Sequence, residues 1–264
     1  MTFAGRVAVV TGASTGFGRG IAVALARQGA RVVVTDLREA PAEGNYDEAP
    51  ELSTVDLIQS LGGEARFQAC DVSRAAQVQA AVDTAAEAFG RLDILVNNAG
   101  VYRGGPFHEL TEADLDACLD VIVRGTWLGC HAAIRRFLSQ GGGGSIINIV
   151  STAGLRGHPG QAPYNTAKGA QANLTRALAV EYARRGIRIN GVCPTYMKTA
   201  MSRAAADSPE FDEMIRRTVP GGGWGEVADV VAATLFLLSD EARFLQGVLL
   251  PVDAGETAGA APLS

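Results

Sequence analysis

Cysteine is scarce in this sequence and poorly spaced for either of its structural uses. The four cysteines, Cys70, Cys118, Cys130 and Cys193, lie far apart without a CxxC pair. That fits neither a disulfide framework nor a zinc site, so reduced, partly buried thiols and no metal are expected. Basic charge is in deficit, with 23 Lys and Arg against 28 Asp and Glu for a formal net charge of −5. An acidic chain has no electrostatic reason to seek nucleic acid or an anionic membrane. The longest uncharged run, 137–155, contains four consecutive glycines and cannot serve as a membrane helix. The opening MTFAGRVAVV lacks a basic flank, a long apolar stretch and a cleavage site. No signal peptide is read from it, and a cytoplasmic protein is expected. Linkers rich in Pro or Ser are missing, as are internal repeats, so residues 1–264 are read as one domain.

What is present is apolar and periodic. Hydrophobic residues make up 47% of the chain against 19% charged, ample for a sizeable core. Seven short runs rich in β-branched residues predict strands: RVAVV, ARVVVTD, ARFQACD, LDILVNNAG, SIINIVS, IRINGVC and GVLLPVD. Between them, residues 17–28, 52–61, 75–89, 111–138, 163–184 and 226–238 carry apolar residues at helical spacing. This alternation, with strands apolar on both faces, predicts a single doubly wound α/β Rossmann domain: a parallel seven-stranded sheet with helices on both faces. Two segments interrupt it. Residues 38–51 are acidic and hold Pro41 and Pro50, which predicts an inserted loop after the second strand. Residues 200–225 end in Pro220 and three glycines, which predicts a short helical lid over the substrate.

The segment TGASTGFGRG joins the first strand to the first helix. Gly12, Gly16 and Gly18, with Phe17 among them, would let a pyrophosphate approach the backbone at a helix N-terminus, with Ser14 and Thr15 adding hydroxyl donors. Asp36, at the end of the second strand, can accept both hydroxyls of an adenosine ribose and would repel a 2′-phosphate, with Arg38 the only neighbouring cation. NAD is therefore expected rather than NADP. Tyr164 and Lys168 stand at i and i+4 in YNTAK, on one helix face. A cation beside a phenol is expected to lower its pKa, so Tyr164 is a candidate general acid–base, with Ser151 the hydroxyl that holds the substrate oxygen.

Taken together, TGASTGFG, CDV, NNAG, Ser151, Tyr164 and Lys168 give a sequence that resembles the short-chain dehydrogenase/reductase family over essentially its whole length. The resemblance implies that Asp71 and Val72 border the adenine, and that Asn97, Ala99 and Gly100 follow the cofactor ribose. It also implies that Lys168 binds the nicotinamide ribose and that Pro194, Met197 and Thr199 grip the carboxamide. The loop containing His158 would form one wall of the substrate pocket; Tyr196 is a comparable candidate contact and Trp224 a weaker one. His131, inside a helix, is read as structural.

Three positions depart from the family pattern. Ile122 stands where an asparagine usually completes a proton relay, so retained activity with an altered relay is expected. Thr195 and Ala254 each replace a glycine, the second with little expected consequence. Leu174 and Leu178 on the 163–184 helix could pack on a second copy, and the family's four-helix interfaces imply a homo-oligomer, with a tetramer favoured. The expected reaction is hydride transfer between NAD and a small secondary alcohol or ketone. The alternatives are an NADPH-dependent carbonyl or 3-oxoacyl reductase, and a nucleotide-binding scaffold without turnover.

Overall fold

The structure, a computed structural model, describes residues 2–260; Met1 and residues 261–264, the ends of the predicted domain, lie outside the described residues. Seven strands form one sheet: β1 (Val7–Thr11), β2 (Arg31–Asp36), β3 (Glu64–Ala69), β4 (Ile94–Asn97), β5 (Gly144–Ile149), β6 (Ile187–Pro194) and β7 (Leu249–Val252). Their order is β3-β2-β1-β4-β5-β6-β7 and every pairing is parallel. Each of the seven predicted runs supplies one strand.

The doubly wound architecture follows from alternation along buried strands. On β1, Ala8 and Val10 enter one core with Ile21 and Leu25 of α1 (Gly16–Arg27), Ile58 of α2 (Thr54–Ser60) and Leu237 of α9 (Val227–Leu238). Val7 and Val9 enter the opposite core, with Val82 of α3 (Ala75–Phe89) and Phe137 of α5 (Gly125–Gln140). Period-two side chains on a sheet covered on both faces require apolar residues at every position. Neighbours of β1 run outward in opposite directions, to β2 and to β4. That reversal opens a crevice at the strands' carboxyl ends.

The helix predicted over 111–138 differs in detail. It begins as α4 (Glu112–Cys118), capped by Thr111 and Asp114 in a reciprocal capping box, and widens into a π-helical segment, Leu119–Arg124, before resuming as α5. The stretch Glu112–Gln140 has the length and apolarity of a membrane span, yet half of its most apolar window is buried within the fold. α5 lies close against the sheet through glycine: a Cβ on Gly129 would sit 2.2 Å from Asn97 Oδ1. α6 (Ala162–Tyr182) carries Tyr164 and Lys168 in its first two turns.

The two interrupting segments differ in structure. Residues 38–51 contain no helix or strand, and buried Arg19 of α1 gathers them, donating to the carbonyls of Glu48, Ala49 and Leu52 at 2.7–3.0 Å. Residues 200–225 contain two short helices, α7 (Arg203–Ala206) and α8 (Pro209–Thr218). Arg203 donates to Gly44 O at 2.6 Å, so the two segments meet. Ala254 corrects an expectation: its φ of +50° is the left-handed conformation that glycine adopts freely. An alanine there costs about 1 kcal/mol.

Candidate active site

A cavity of about 750 Å³ occupies the crevice at the carboxyl ends of the strands. A second, of about 520 Å³, opens at the opposite end, where Arg6 is engaged with Asp93 and Asp240 and Arg188 with Leu237 O.

At one end of the large cavity the β1–α1 turn is built by close approach. A Cβ on Gly18 would lie 2.3 Å from Gly12 O, so only glycine permits this turn. Gly12, Thr15, Gly16 and Phe17 line the cavity. Gly16 N–H donates to both carboxylate oxygens of Asp47 at 3.1 and 2.9 Å, and Thr15 Oγ1 donates to Asp47 at 2.7 Å. The N-terminus of α1 therefore already holds an anion, supplied by the inserted loop, where a dinucleotide's pyrophosphate is expected. The donors present fit such a group. Ser14 is corrected as a phosphate donor: it is buried, its N–H donates to Asp36 Oδ2 at 3.1 Å and its hydroxyl to Arg38 O at 2.7 Å. Its atoms brace the end of β2 instead.

Asp36, Asp71, Val72, Ala99 and Gly100 line the same end. Asp71 accepts from the Ser73 hydroxyl at 2.7 Å, which holds its carboxyl below the usual range. Asn97 departs from its expected place at the ribose. Its side chain turns into the sheet, where Nδ2 donates to Asn148 Oδ1 at 2.9 Å, and its neighbour Asn98 lines the cavity instead. Asn98 Nδ2 donates to the carbonyls of Thr11 and Gly12, both at 2.9 Å, tying the exit of β4 to the glycine turn.

Ser151, Tyr164 and Lys168 converge on the middle of the cavity, with Pro194, Met197 and Thr199 along one side. Tyr164 is hydrogen-bonded to Ser151, and Lys168 Nζ lies 5.7 Å from the Tyr164 ring centroid. The expected acidification of the phenol is not met. Burial pushes Tyr164 up to about 12, opposed by the Ser151 hydrogen bond, while burial pulls Lys168 down to about 7. Both groups resist charge because the surrounding protein solvates ions poorly, and this outweighs the attraction of one for the other. Lys168 is held by Ile149 O at 2.6 Å and by Gln171 Oε1 at 3.0 Å. Ile122 is fully buried against Cys118, Ala167 and Tyr164 and offers the lysine no polar side chain.

The far wall is aromatic. Tyr196 packs edge-on against His158, Phe211 and Trp224 at centroid distances of 6.3, 5.8 and 6.2 Å. Glu256 lies buried behind His158 and Thr195: the Thr195 hydroxyl donates to its carboxylate and His158 Nε2 is 3.6 Å from Oε1. Burial lowers the His158 pKa and favours the neutral ring. His131 stacks on Trp127 on α5, at 5.0 Å, outside the cavity lining. All four cysteines are free and buried, and no cluster of three metal-binding side chains exists among the described residues. Sequence reasoning passed over Asp47, Gln171 and Glu256. Gln171 was the readable one, since it follows Lys168 by three residues on the same helix face.

The chain resembles known proteins over nearly its whole length. A family model described as enoyl-(acyl carrier protein) reductase matches residues 12–257. D-threitol dehydrogenase of Mycolicibacterium smegmatis is 39% identical over 256 residues, covering 96% of this chain and 93% of that protein. A gluconate 5-dehydrogenase from Burkholderia cenocepacia, solved with NADP and tartrate, superposes with a TM-score of 0.89 at 34% identity, covering 98% of each chain. A short-chain type dehydrogenase/reductase from Mycobacterium marinum gives 0.89 at 30% identity, again with 98% of each chain covered.

The two displaced pKa values predict a pH signature of stability. An unfolded lysine titrates near 10.4, whereas Lys168 titrates at about 7 in the fold. Between those values the unfolded chain binds the extra proton, so stability rises with pH. Above about 10 the unfolded tyrosine ionises first, while Tyr164 keeps its proton to about 12, and stability falls. Denaturant titrations of Lys168→Met across pH 6–10 are expected to lose the rise; curves parallel to the unsubstituted protein would refute the burial argument.

Proposed function

The chain belongs to the short-chain dehydrogenase/reductase family, and from that premise we propose that it interconverts a small secondary alcohol and its ketone with NAD as hydride partner. The observation that carries the reading is the meeting of Ser151, Tyr164 and Lys168 in one cavity with the glycine turn and Asp36. When bound, the dinucleotide supplies the nicotinamide carbon that accepts or delivers hydride.

The chain's own groups manage the substrate oxygen and its proton. The Ser151 hydroxyl, already bonded to Tyr164, orients that oxygen. With its pKa raised to about 12, the Tyr164 phenol is protonated at neutral pH and poised to donate to a developing alkoxide in the reducing direction. In oxidation the same phenol must give up its proton, and the ammonium form of Lys168 beside it stabilises the phenolate that results. Lys168 lines the same cavity as the glycine turn, which suits it to the nicotinamide ribose.

NAD is favoured over NADP by Asp36, whose carboxylate lines the cavity while Arg38 does not. A 2′-phosphate there would meet an unscreened like charge. The reading extends to a cytoplasmic homo-oligomer, with a tetramer favoured. Four free buried thiols suit a reducing compartment. Trp127 on α5 and Val180 on α6 present large apolar groups to the surface, at 52% and 82% exposure, on the helices where a second copy would pack.

Two measurements test the reading. Tyr164→Phe is expected to lower kcat by at least about 100-fold with dinucleotide binding retained; turnover equal to the parent would refute the proton-transfer role. Asp47→Ala removes the intramolecular anion from the N-terminus of α1. It is expected to lower stability without dinucleotide by about 1 kcal/mol while tightening NAD several-fold in a fluorescence titration. Looser NAD binding would mean that Asp47 holds the dinucleotide rather than competing with it.

A further inference from the structure

Resting on the oxidoreductase reading above, we propose that the substrate is an uncharged secondary alcohol or ketone carrying a compact apolar ring, and that its anionic analogues are rejected. The cavity changes character beyond Tyr164. Its single lining cation among the described residues is Lys168, and its carboxylates, Asp36 and Asp71, lie at the dinucleotide end. Nearby basic side chains are engaged elsewhere. Arg156 donates to Glu256 O at 2.7 Å and Lys198 pairs with Glu226 at 3.6 Å.

Behind His158 and Thr195 the carboxylate of Glu256 is 4% exposed and lies 3.9 Å from Arg156 Nη2, so the one arginine near this wall is already matched and leaves no free cation facing a substrate. A carboxylate, sulfonate or phosphate placed against that wall would lose its hydration without gaining a cation. The remaining surface rewards flat apolar groups. Tyr196 stands edge-on to Phe211 and Trp224, whose rings tilt 34° to each other, and the Trp224 N–H donates to Asp212 at 3.0 Å, so the indole offers the cavity no strong donor. Tyr102, 5.5 Å from the Tyr164 ring, adds another aromatic face beside the reacting position.

A matched pair tests this directly: 1-phenylethanol against 4-(1-hydroxyethyl)benzoate, which differ by one carboxylate, assayed with NAD and NADP beside 2-butanol and D-threitol. The expected result is a kcat/KM for 1-phenylethanol at least about tenfold above each of the others. Trp224→Ala and Phe211→Leu should each narrow the gap between 1-phenylethanol and 2-butanol. Turnover of the benzoate or of the tetrol equal to or above that of 1-phenylethanol overturns the substrate class and leaves the oxidoreductase reading intact. Absence of turnover for every alcohol and for acetophenone, with either dinucleotide, overturns both.

A separate set of contacts bears on the altered relay. We infer that Gln171, reaching from α6 to α5 through Thr126, is the positioning residue that holds Lys168 in place of the missing asparagine. Gln171 is 1% exposed, and its carbonyl oxygen accepts from Lys168 Nζ at 3.0 Å while its amide nitrogen donates to Thr126 Oγ1 at 2.8 Å. The ammonium only donates, so its contact fixes the amide with the carbonyl oxygen toward Lys168 and the nitrogen toward Thr126. Thr126 stands four residues beyond Ile122, so the helical run that lost a polar group at 122 still reaches the lysine through this bridge. The other titratable groups around Lys168 are Cys118, Cys193 and Tyr164.

Gln171→Leu removes the acceptor and is expected to lower kcat by about tenfold and to move the basic limb of the kcat–pH profile, where the ammonium is lost, to lower pH. In the protein without dinucleotide, the pH at which stability begins to rise should move the same way. Gln171→Glu keeps an acceptor and should retain more activity with both midpoints moved to higher pH. Thr126→Val, which does not touch the lysine, should reproduce the leucine variant's shift in weaker form. Unchanged profiles in Gln171→Leu, or in Thr126→Val should the leucine variant fail to fold, overturn the assignment.

Discussion

An ammonium group buried beside a phenol is the constraint around which the site is organised. Lys168 leaves water for a place where two oxygens, from the main chain of β5 and from Gln171, receive its protons. Burial of a charge with so few partners shifts the equilibrium toward the neutral amine, and the same surroundings hold Tyr164 in its protonated form. The fold sustains this arrangement because α6 packs along β6 and the π-helical segment, presenting both residues from its first turns to the cavity. A pair this sensitive to local charge is well matched to chemistry in which charge appears and disappears within bonding distance.

The dinucleotide end shows a related economy of charge. α1 begins with unpaired N–H groups, and the acidic insertion supplies a carboxylate to them. Arg19 makes that possible by holding the carbonyls of Glu48 and Ala49 in the insertion and of Leu52 just past it, and Arg27 adds an ion pair to Glu48 at 2.7 Å. The insertion thus meets the N-terminus of α1, and Arg203 ties it to the 200–225 segment. Binding an anion there exchanges one negative partner for another, which moderates affinity without altering the glycine turn.

Much of this was legible in the linear sequence because the signals are local. Seven apolar runs and the helical periodicities between them identify a parallel sheet with helices on both faces. The spacing of Tyr164 and Lys168 is a property of any helix, and the glycine turn is dictated by close backbone approach. The break in the long helix at 119–124 was hidden, since π-helical widening is set by packing rather than by residue type. Asn97 and Ser14 were misplaced for a similar reason: each lies one residue from a position that does line the cavity, and in an extended or turning chain one residue reverses the direction of a side chain.

The sequence alone determined the fold class, the order of its elements, the helical pairing of a tyrosine with a lysine, and the acidic residue closing the second strand, all of which depend on near neighbours. The tertiary structure decided which charges survive burial. The glutamine bracing Lys168, the aspartate on the N-terminus of α1 and the glutamate behind the aromatic wall act at positions set by long-range packing. Their effect depends on how much water the assembled protein excludes, and no short stretch of sequence encodes that.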